Sequence, residues 1–210
     1  MVLAFTSQKG GCGKSTLAAH AYGWAVREGI NVCLIDMDDQ GSSSSWIDGV
    51  DESAENYHIP NAKTAGDAIS ELSAKHDLVI VDNGGMLNAA SKAAMLLADV
   101  VCIPTRPSRL DHGATIETLK LLTQAARTRS GAFDVYVIPS MIRANESSAH
   151  HLEAQMEQDG IPLGPAISQR ASFAKAANAY NFVWDQGDAQ ATAEIEILLQ
   201  TLWQKHSQKH

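Results

Sequence analysis

Residues 8–16, Gln8-Lys9-Gly10-Gly11-Cys12-Gly13-Lys14-Ser15-Thr16, constrain this chain more than any other stretch. An apolar run, Val2-Leu3-Ala4-Phe5, precedes them, and Leu17, Ala18, Ala21, Tyr22, Ala25 and Val26 follow at helical spacing. The glycines therefore sit where a strand turns into a helix. Glycine lets the backbone curl with its N–H groups pointing inward, and a helix N-terminus adds a favourable potential for anions. Such a turn opening on Lys-Ser is the local form of a loop that wraps phosphates. Lys14 would reach the β and γ phosphates of a nucleotide, and the Ser15 hydroxyl would take one position on Mg²⁺.

The rest of the chain repeats the same strand and helix alternation. Gly29 marks the end of the first helix, and Asn31-Val32-Cys33-Leu34-Ile35-Asp36 reads as a buried strand. Further apolar strands are expected at 78–81, 100–103 and 133–138, with helices at 64–75, 89–97 and 110–126 between them. This order predicts an α/β fold, a mainly parallel twisted sheet flanked by helices on both faces, with ligands at the carboxyl ends of the strands. Residues 41–62 are polar and contain a run of four serines, and are expected as a mobile surface segment with one turn of helix near Trp46. The stripe Ile195, Leu198, Leu199, Leu202 and Trp203 predicts a C-terminal helix over 189–204 packed on the domain. Its polar face carries Glu and Gln rather than a basic array, so a membrane-surface role is not expected.

Length and composition narrow the function classes. A chain of 210 residues with no linker is expected to be one domain over 1–210. No apolar run approaches a membrane span and no leader precedes the first strand, which predicts a cytoplasmic protein. The three cysteines, Cys12, Cys33 and Cys102, lie far apart, which suggests neither a disulfide framework nor a zinc site. A net charge of −8 argues against a general basic coat for nucleic acid, so any DNA contact must come from a local patch.

Two acidic segments complete the pattern. In Ile35-Asp36-Met37-Asp38-Asp39-Gln40-Gly41 the strand period of two puts Asp36 and Asp38 on one side, both expected to point towards the phosphate loop, with Asp36 supporting the loop or the metal's water shell. Leu78-Val79-Ile80-Val81-Asp82 is an apolar strand ending in an acid, the form of a Walker B element, whose Asp82 would hold Mg²⁺ through its waters. After it, a backbone N–H at Gly84 or Gly85 is placed to sense a γ phosphate.

The spelling K-G-G-x-G-K-[ST], with Lys9 directly before Gly10-Gly11 and Gln8 where the common loop has glycine, resembles the deviant Walker A motif of the ParA/MinD ATPases. The segment from Asp36 to Gly41 resembles the D-x-D-P-Q-G stretch of ParA proteins, with Asp39 in place of the proline. Ile103-Pro104-Thr105-Arg106-Pro107-Ser108-Arg109-Leu110-Asp111 and Ile167-Ser168-Gln169-Arg170 resemble segments of the compact ParF-like type. The resemblance spans Met1 to about Trp203 and implies a three-layer P-loop NTPase that uses ATP and Mg²⁺. It implies catalytic roles for Lys9, Lys14, Asp38 and Asp82, and nucleotide contacts from Lys9, Gly10, Gly11, Cys12, Gly13, Lys14, Ser15, Thr16 and Gly85. Metal contacts would come from Ser15, Asp38 and Asp82, the adenine pocket from 137–143, and DNA-backbone contacts from Arg170 and Lys175. In this family the early lysine reaches the partner subunit's nucleotide, so Lys9 implies an ATP-dependent homodimer. The resemblance further implies non-specific DNA binding on the nucleoid, a centromere-binding, ParB-like partner that stimulates hydrolysis, and no stable membrane association. A MinD-like or cargo-positioning ATPase shares every one of these nucleotide residues and stays open. A carboxylate-activating ligase of the same superfamily is disfavoured by Lys9, and an iron–sulfur electron carrier would need paired cluster cysteines, for which Cys102 alone is inadequate.

Overall fold

The computed structural model describes residues 1–85, 89–127, 133–143 and 147–207. The strands are β1 (Val2–Phe5), β2 (Val32–Asp36), β3 (Asn56–His58), β4 (Leu78–Asp82), β5 (Val100–Thr105), β6 (Asp134–Ile142) and β7 (Ile167–Ser168). The helices are α1 (Lys14–Arg27), α2 (Ser42–Val50), α3 (Ala62–Ser73), α4 (Ala89–Leu97), α5 (Arg109–Ala126), α6 (Ser147–Gln158), α7 (Ala171–Asn178) and α8 (Ala189–Ser207), with a 3₁₀ turn at Val183–Gln186. The strands form one sheet in the order β3-β2-β4-β1-β5-β6-β7, and every pairing is parallel. Strands buried on both faces need apolar side chains throughout, which is why β1, β4 and β5 read as continuous hydrophobic runs.

Each face has its own core. Leu3, Phe5, Leu34, Leu78 and Ile80 face α1, α2, α7 and α8, whereas Val2, Ala4, Ile35, Val79 and Val81 face α3, α4, α5 and α6. On α1, Ala18, Ala19, Ala21 and Ala25 are fully buried, so the helix backbone lies close against the sheet and carries its loop to the strand ends. The stripe Ile195, Leu198, Leu199 and Leu202 of α8 is buried on the α1 face as expected. No helix among the described residues is long and apolar enough to cross a membrane.

The segment 41–62 departs from expectation. It holds the nine-residue helix α2 and the strand β3, which pairs with β2 at the sheet edge. Two tertiary contacts make the helix. Asp36 accepts hydrogen bonds from the backbone N–H of Ser43 and Ser44 at 2.9 and 3.0 Å, satisfying donors that a helix start leaves open. Trp46 and Ile47 are buried under it, and the Trp46 indole donates to the Asn181 carbonyl at 3.1 Å. Also unforeseen are α6, α7 and the two-residue β7, whereas α4 has the expected bounds.

Candidate functional site

The loop after β1 has the conformation that its glycines permit. Gly11 and Gly13 have φ of 68° and 101°, in the left-handed region where a side chain would be strained. Gly13 caps α1 without any side-chain hydrogen bond, so the first N–H groups of the helix face the loop unsatisfied by a cap. Lys14 begins the helix yet is only 7% exposed, with its Nζ 3.5 Å from the Lys9 carbonyl. The Cys12 thiol donates to that carbonyl at 3.2 Å, and the Lys9 N–H donates to Ser7 Oγ at 3.3 Å. The loop thus turns about the Lys9 carbonyl, with Gly10 and Gly11 exposed and Ser15 and Thr16 half-buried beside them.

Strand register brings the acids to the same place. Phe5 pairs with Asp82 and Asp82 with Asp36, so the phosphate loop and both carboxylates leave adjacent strands at one level. Asp82 is fully buried and neither carboxylate oxygen has a hydrogen-bond partner. Burial, with the Asp36 charge next to it, pushes its pKa up to about 7, and the neighbouring Ser15 and Ser43 hydroxyls and Lys14 only moderate that rise. Asp36 does something else. Besides Ser43 and Ser44, it accepts from Asp38 N–H at 3.0 Å and the Ser43 hydroxyl at 2.9 Å. Its carboxylate is therefore spent on α2 and the turn after β2, and the expectation that Asp36 and Asp38 both point at the phosphate loop is corrected for Asp36. Asp38 lies beyond the strand, half-buried, with Oδ1 accepting from Gln40 N–H at 3.0 Å and its carbonyl bonded to His58 Nε2 at 2.8 Å. A Cβ placed on Gly84 would lie 3.8 Å from Asp38 Oδ2, and one on Gly85 would lie 4.0 Å from Lys14 Nζ. The two glycines after β4 thus sit between Asp38 and Lys14.

Beside the loop a cleft of about 260 Å³ is lined by Cys12, Gly13, Thr16, Ser140, Met141 and Phe173, among others. Met141 has φ of 58°, at an irregularity in the β6–β7 register between Ser140 and Ile142. That bulge turns 140–141 towards the loop, the place where the sequence suggested a base pocket. Arg106 pairs with Asp111 through Nε at 3.0 Å and Nη2 at 3.2 Å, which fixes the turn before α5. Arg170 and Lys175 lie near the start of α7. Arg170 Nε is 2.7 Å from Asp188 and its Nη1 is 2.9 Å from Gln190, so its charge is matched inside the fold. Lys175 is exposed.

One residue carried no sequence signal at all. His20, one turn into α1 from Thr16, is fully buried among the rings of Trp46, Phe173, Phe182 and Trp184. Its Nδ1 bonds the Thr16 carbonyl at 2.7 Å and its Nε2 accepts from Val183 N–H at 3.2 Å, which sets a neutral imidazole protonated at Nδ1. Burial lowers its pKa to about 4.

The residues present fit a magnesium nucleotide. A buried, unpartnered carboxylate next to a hydroxyl and a lysine is electrostatically incomplete, and a divalent cation beside Asp82 would offset that cost. Among the described residues no group of His, Cys, Asp and Glu forms a metal cage of its own.

Comparison with known proteins agrees with this geometry. The sequence model of the CobQ/CobB/MinD/ParA nucleotide binding domain matches residues 3–181. Over 200 residues the chain is 26% identical to the maintenance of carboxysome distribution protein A of Halothiobacillus neapolitanus, covering 93% of this chain and 92% of that protein. It is 27% identical to the protein ParA of Rhizobium radiobacter over 92% of this chain and 91% of the other. A Gloeobacter kilaueensis maintenance of carboxysome distribution protein A is 35% identical over 79% of this chain and 75% of its own. Among solved structures, the septum site-determining protein MinD of Pyrococcus horikoshii, complexed with Mg-ADP, superposes with a TM-score of 0.79 at 17% identity over 96% of this chain and 95% of that one. With the loop, the strand register and these likenesses together, the chain belongs to the CobQ/CobB/MinD/ParA family of nucleotide-binding proteins.

Proposed function

We propose that this chain is an ATP-dependent DNA segregation ATPase: it dimerises on ATP, binds DNA without sequence preference, and hydrolyses ATP when a cargo-bound adaptor engages it. The observation that carries the reading is the loop itself, where two lysines bracket the glycine turn and the unpartnered Asp82 lies beside it. Lys14, already buried at the helix start, neutralises charge on the β and γ phosphates, and the α1 N–H groups bind their oxygens. Lys9 of a second copy adds a further positive charge to the transferring phosphoryl, so turnover depends on dimerisation. Asp38 aligns the attacking water, and the N–H groups of Gly84 and Gly85, between Asp38 and Lys14, report whether a γ phosphate is present. Ser15, with Asp82 and Asp38 acting through bound waters, would hold Mg²⁺, which would supply charge stabilisation for the phosphates. Lys175 contributes to non-specific DNA contact on the nucleoid, within the cytoplasm. Arg170 adds to it only at the cost of its pairing with Asp188.

A second reading is supported by two relatives named for carboxysome distribution: the same cycle positioning a protein assembly instead of a plasmid. Both readings share one test, a DNA mobility shift with ATP, ADP or no nucleotide on wild type, Lys9→Ala and Asp38→Ala. Binding is expected only with ATP, to be lost in Lys9→Ala and to persist as an ATP-locked complex in Asp38→Ala. Equal binding in all nucleotide states would overturn the proposal. Co-purification of the cargo then separates plasmid from protein assembly.

A further inference from the structure

At the far ends of α1 and α2 from the phosphate loop, the surface opens into a groove of about 600 Å³. Its lining includes the buried side chains of Tyr22, Ile47 and Phe182 and the half-buried Trp184. Two of its residues, Val26 and Val50, are 54% and 42% exposed, although each is large and apolar. Exposed apolar side chains gathered in one concavity mark an interaction site more than scattered ones do. The groove is firmly built. The Phe182 ring packs so closely on Gly23 that a Cβ there would lie 2.5 Å from Cζ, and Gly29 turns the chain away at φ of 71°.

Charge says what fits. Asp51 and Glu55 line the groove, Glu55 with Oε2 2.9 Å from His76 Nε2 but its side chain still 57% exposed, and Glu28 and Glu52 stand exposed next to lining residues. Among the described lining residues Arg27 alone is basic, and it is already paired: its Nη1 is 3.3 Å from Glu196 and its guanidinium lies 4.6 Å over the Trp184 ring. An apolar trough with an acidic rim complements a segment of opposite pattern.

We propose that this groove docks a short basic segment of a partner protein, with an apolar side chain seated between Val26 and Val50 and basic residues meeting Asp51 and Glu55. Its occupancy is felt at the nucleotide site through two rigid links. Ile47 of the groove lies on α2, whose first turn is held by Asp36 beside Asp82. Phe182 and Trp184 pack on His20, which bonds Thr16 of the phosphate-loop helix. The docking half stands alone, and the coupling half rests on the ATP-dependent function proposed above.

The test uses the full chain and, as probe, a synthetic amphipathic peptide of leucine and lysine, with a leucine and glutamate peptide as control. Amide-shift mapping is expected to place the lysine peptide at Tyr22, Gly23, Val50 and Ala54, with no response to the glutamate peptide. Val26→Lys and Asp51→Lys alter exposed side chains, so both fold, and together they weaken binding by about tenfold or more. The lysine peptide changes ATP turnover of wild type by about twofold or more and that of the double variant not at all, with basal turnover equal in both. Equal binding of the two peptides, shifts located elsewhere, or undiminished affinity in the double variant overturns docking. Groove binding without any change in a measurable turnover overturns the coupling. A wild type that hydrolyses no ATP yet still binds the lysine peptide in the groove overturns the function proposed above and leaves docking standing.

Discussion

Asp82 and His20 show opposite uses of a buried titratable side chain. Asp82 is a carboxylate kept without a partner, a cost in the free chain that a cation removes on binding. Asp82→Asn is therefore expected to stabilise the nucleotide-free protein by about 1–3 kcal/mol while abolishing magnesium-dependent ATP turnover, read by denaturant titration and phosphate release. His20 is satisfied only when neutral, because its Nε2 must accept from Val183 N–H. Its pKa falls from 6.5 unfolded to about 4 folded, so the folded state disfavours the proton. The resulting stability is fully present above pH 6.5 and drains away as pH falls towards 4, by roughly 3 kcal/mol at most. Denaturation midpoints between those pH values are expected to follow that slope in wild type and to flatten in His20→Gln.

Among the elements, α2 depends most on contacts outside itself. Five of its nine residues are serine or glycine, a poor intrinsic helix, and Asp36 supplies the cap that it lacks. Asp36→Ala leaves two helix N–H groups and the Ser43 hydroxyl without their acceptor, at a cost of about 2–4 kcal/mol. Hydrogen exchange is expected to show α2 amides losing protection before those of β1 and β4. Uniform loss across the sheet would refute this local role. On the other core face of the same sheet Ile35 offers a control: Ile35→Ala, fully buried in β2, is expected to cost about 2–5 kcal/mol and to lower protection everywhere.

At the scale of the whole molecule, a net charge of −8 means that the DNA binding proposed above would need a local basic patch rather than a field. Arg170 is paired within the fold, and its partner Asp188 is held well below the usual carboxylate range by Arg170 and Ser172. The two basic candidates should therefore separate. Arg170→Ala lowers the melting temperature, because β7, α7 and the start of α8 lose their shared tie. Lys175→Ala leaves melting unchanged and reduces the salt slope of ATP-dependent DNA binding by about one counterion. A salt slope that is unchanged in Lys175→Ala would remove this residue from the interface.

The sequence alone determined what neighbouring residues impose on one another. Left-handed backbone at Gly11 and Gly13, a helix starting at Lys14, and apolar runs fit only for a sheet covered on both faces are short-range steric and burial demands, and these are legible in residues 2–26 and 78–82. Tertiary structure decided which side chains meet. Asp36 turned from the phosphate loop because Ser43 and Ser44 offered it three donors. Residues 41–62 became helix and strand because Trp46 found the Asn181 carbonyl 135 positions away. His20 likewise gained its meaning from Val183, 163 positions on. Local patterns set the conformation of a loop, but a hydrogen bond between distant segments exists only once packing has fixed both ends, and no spacing in the chain announces it.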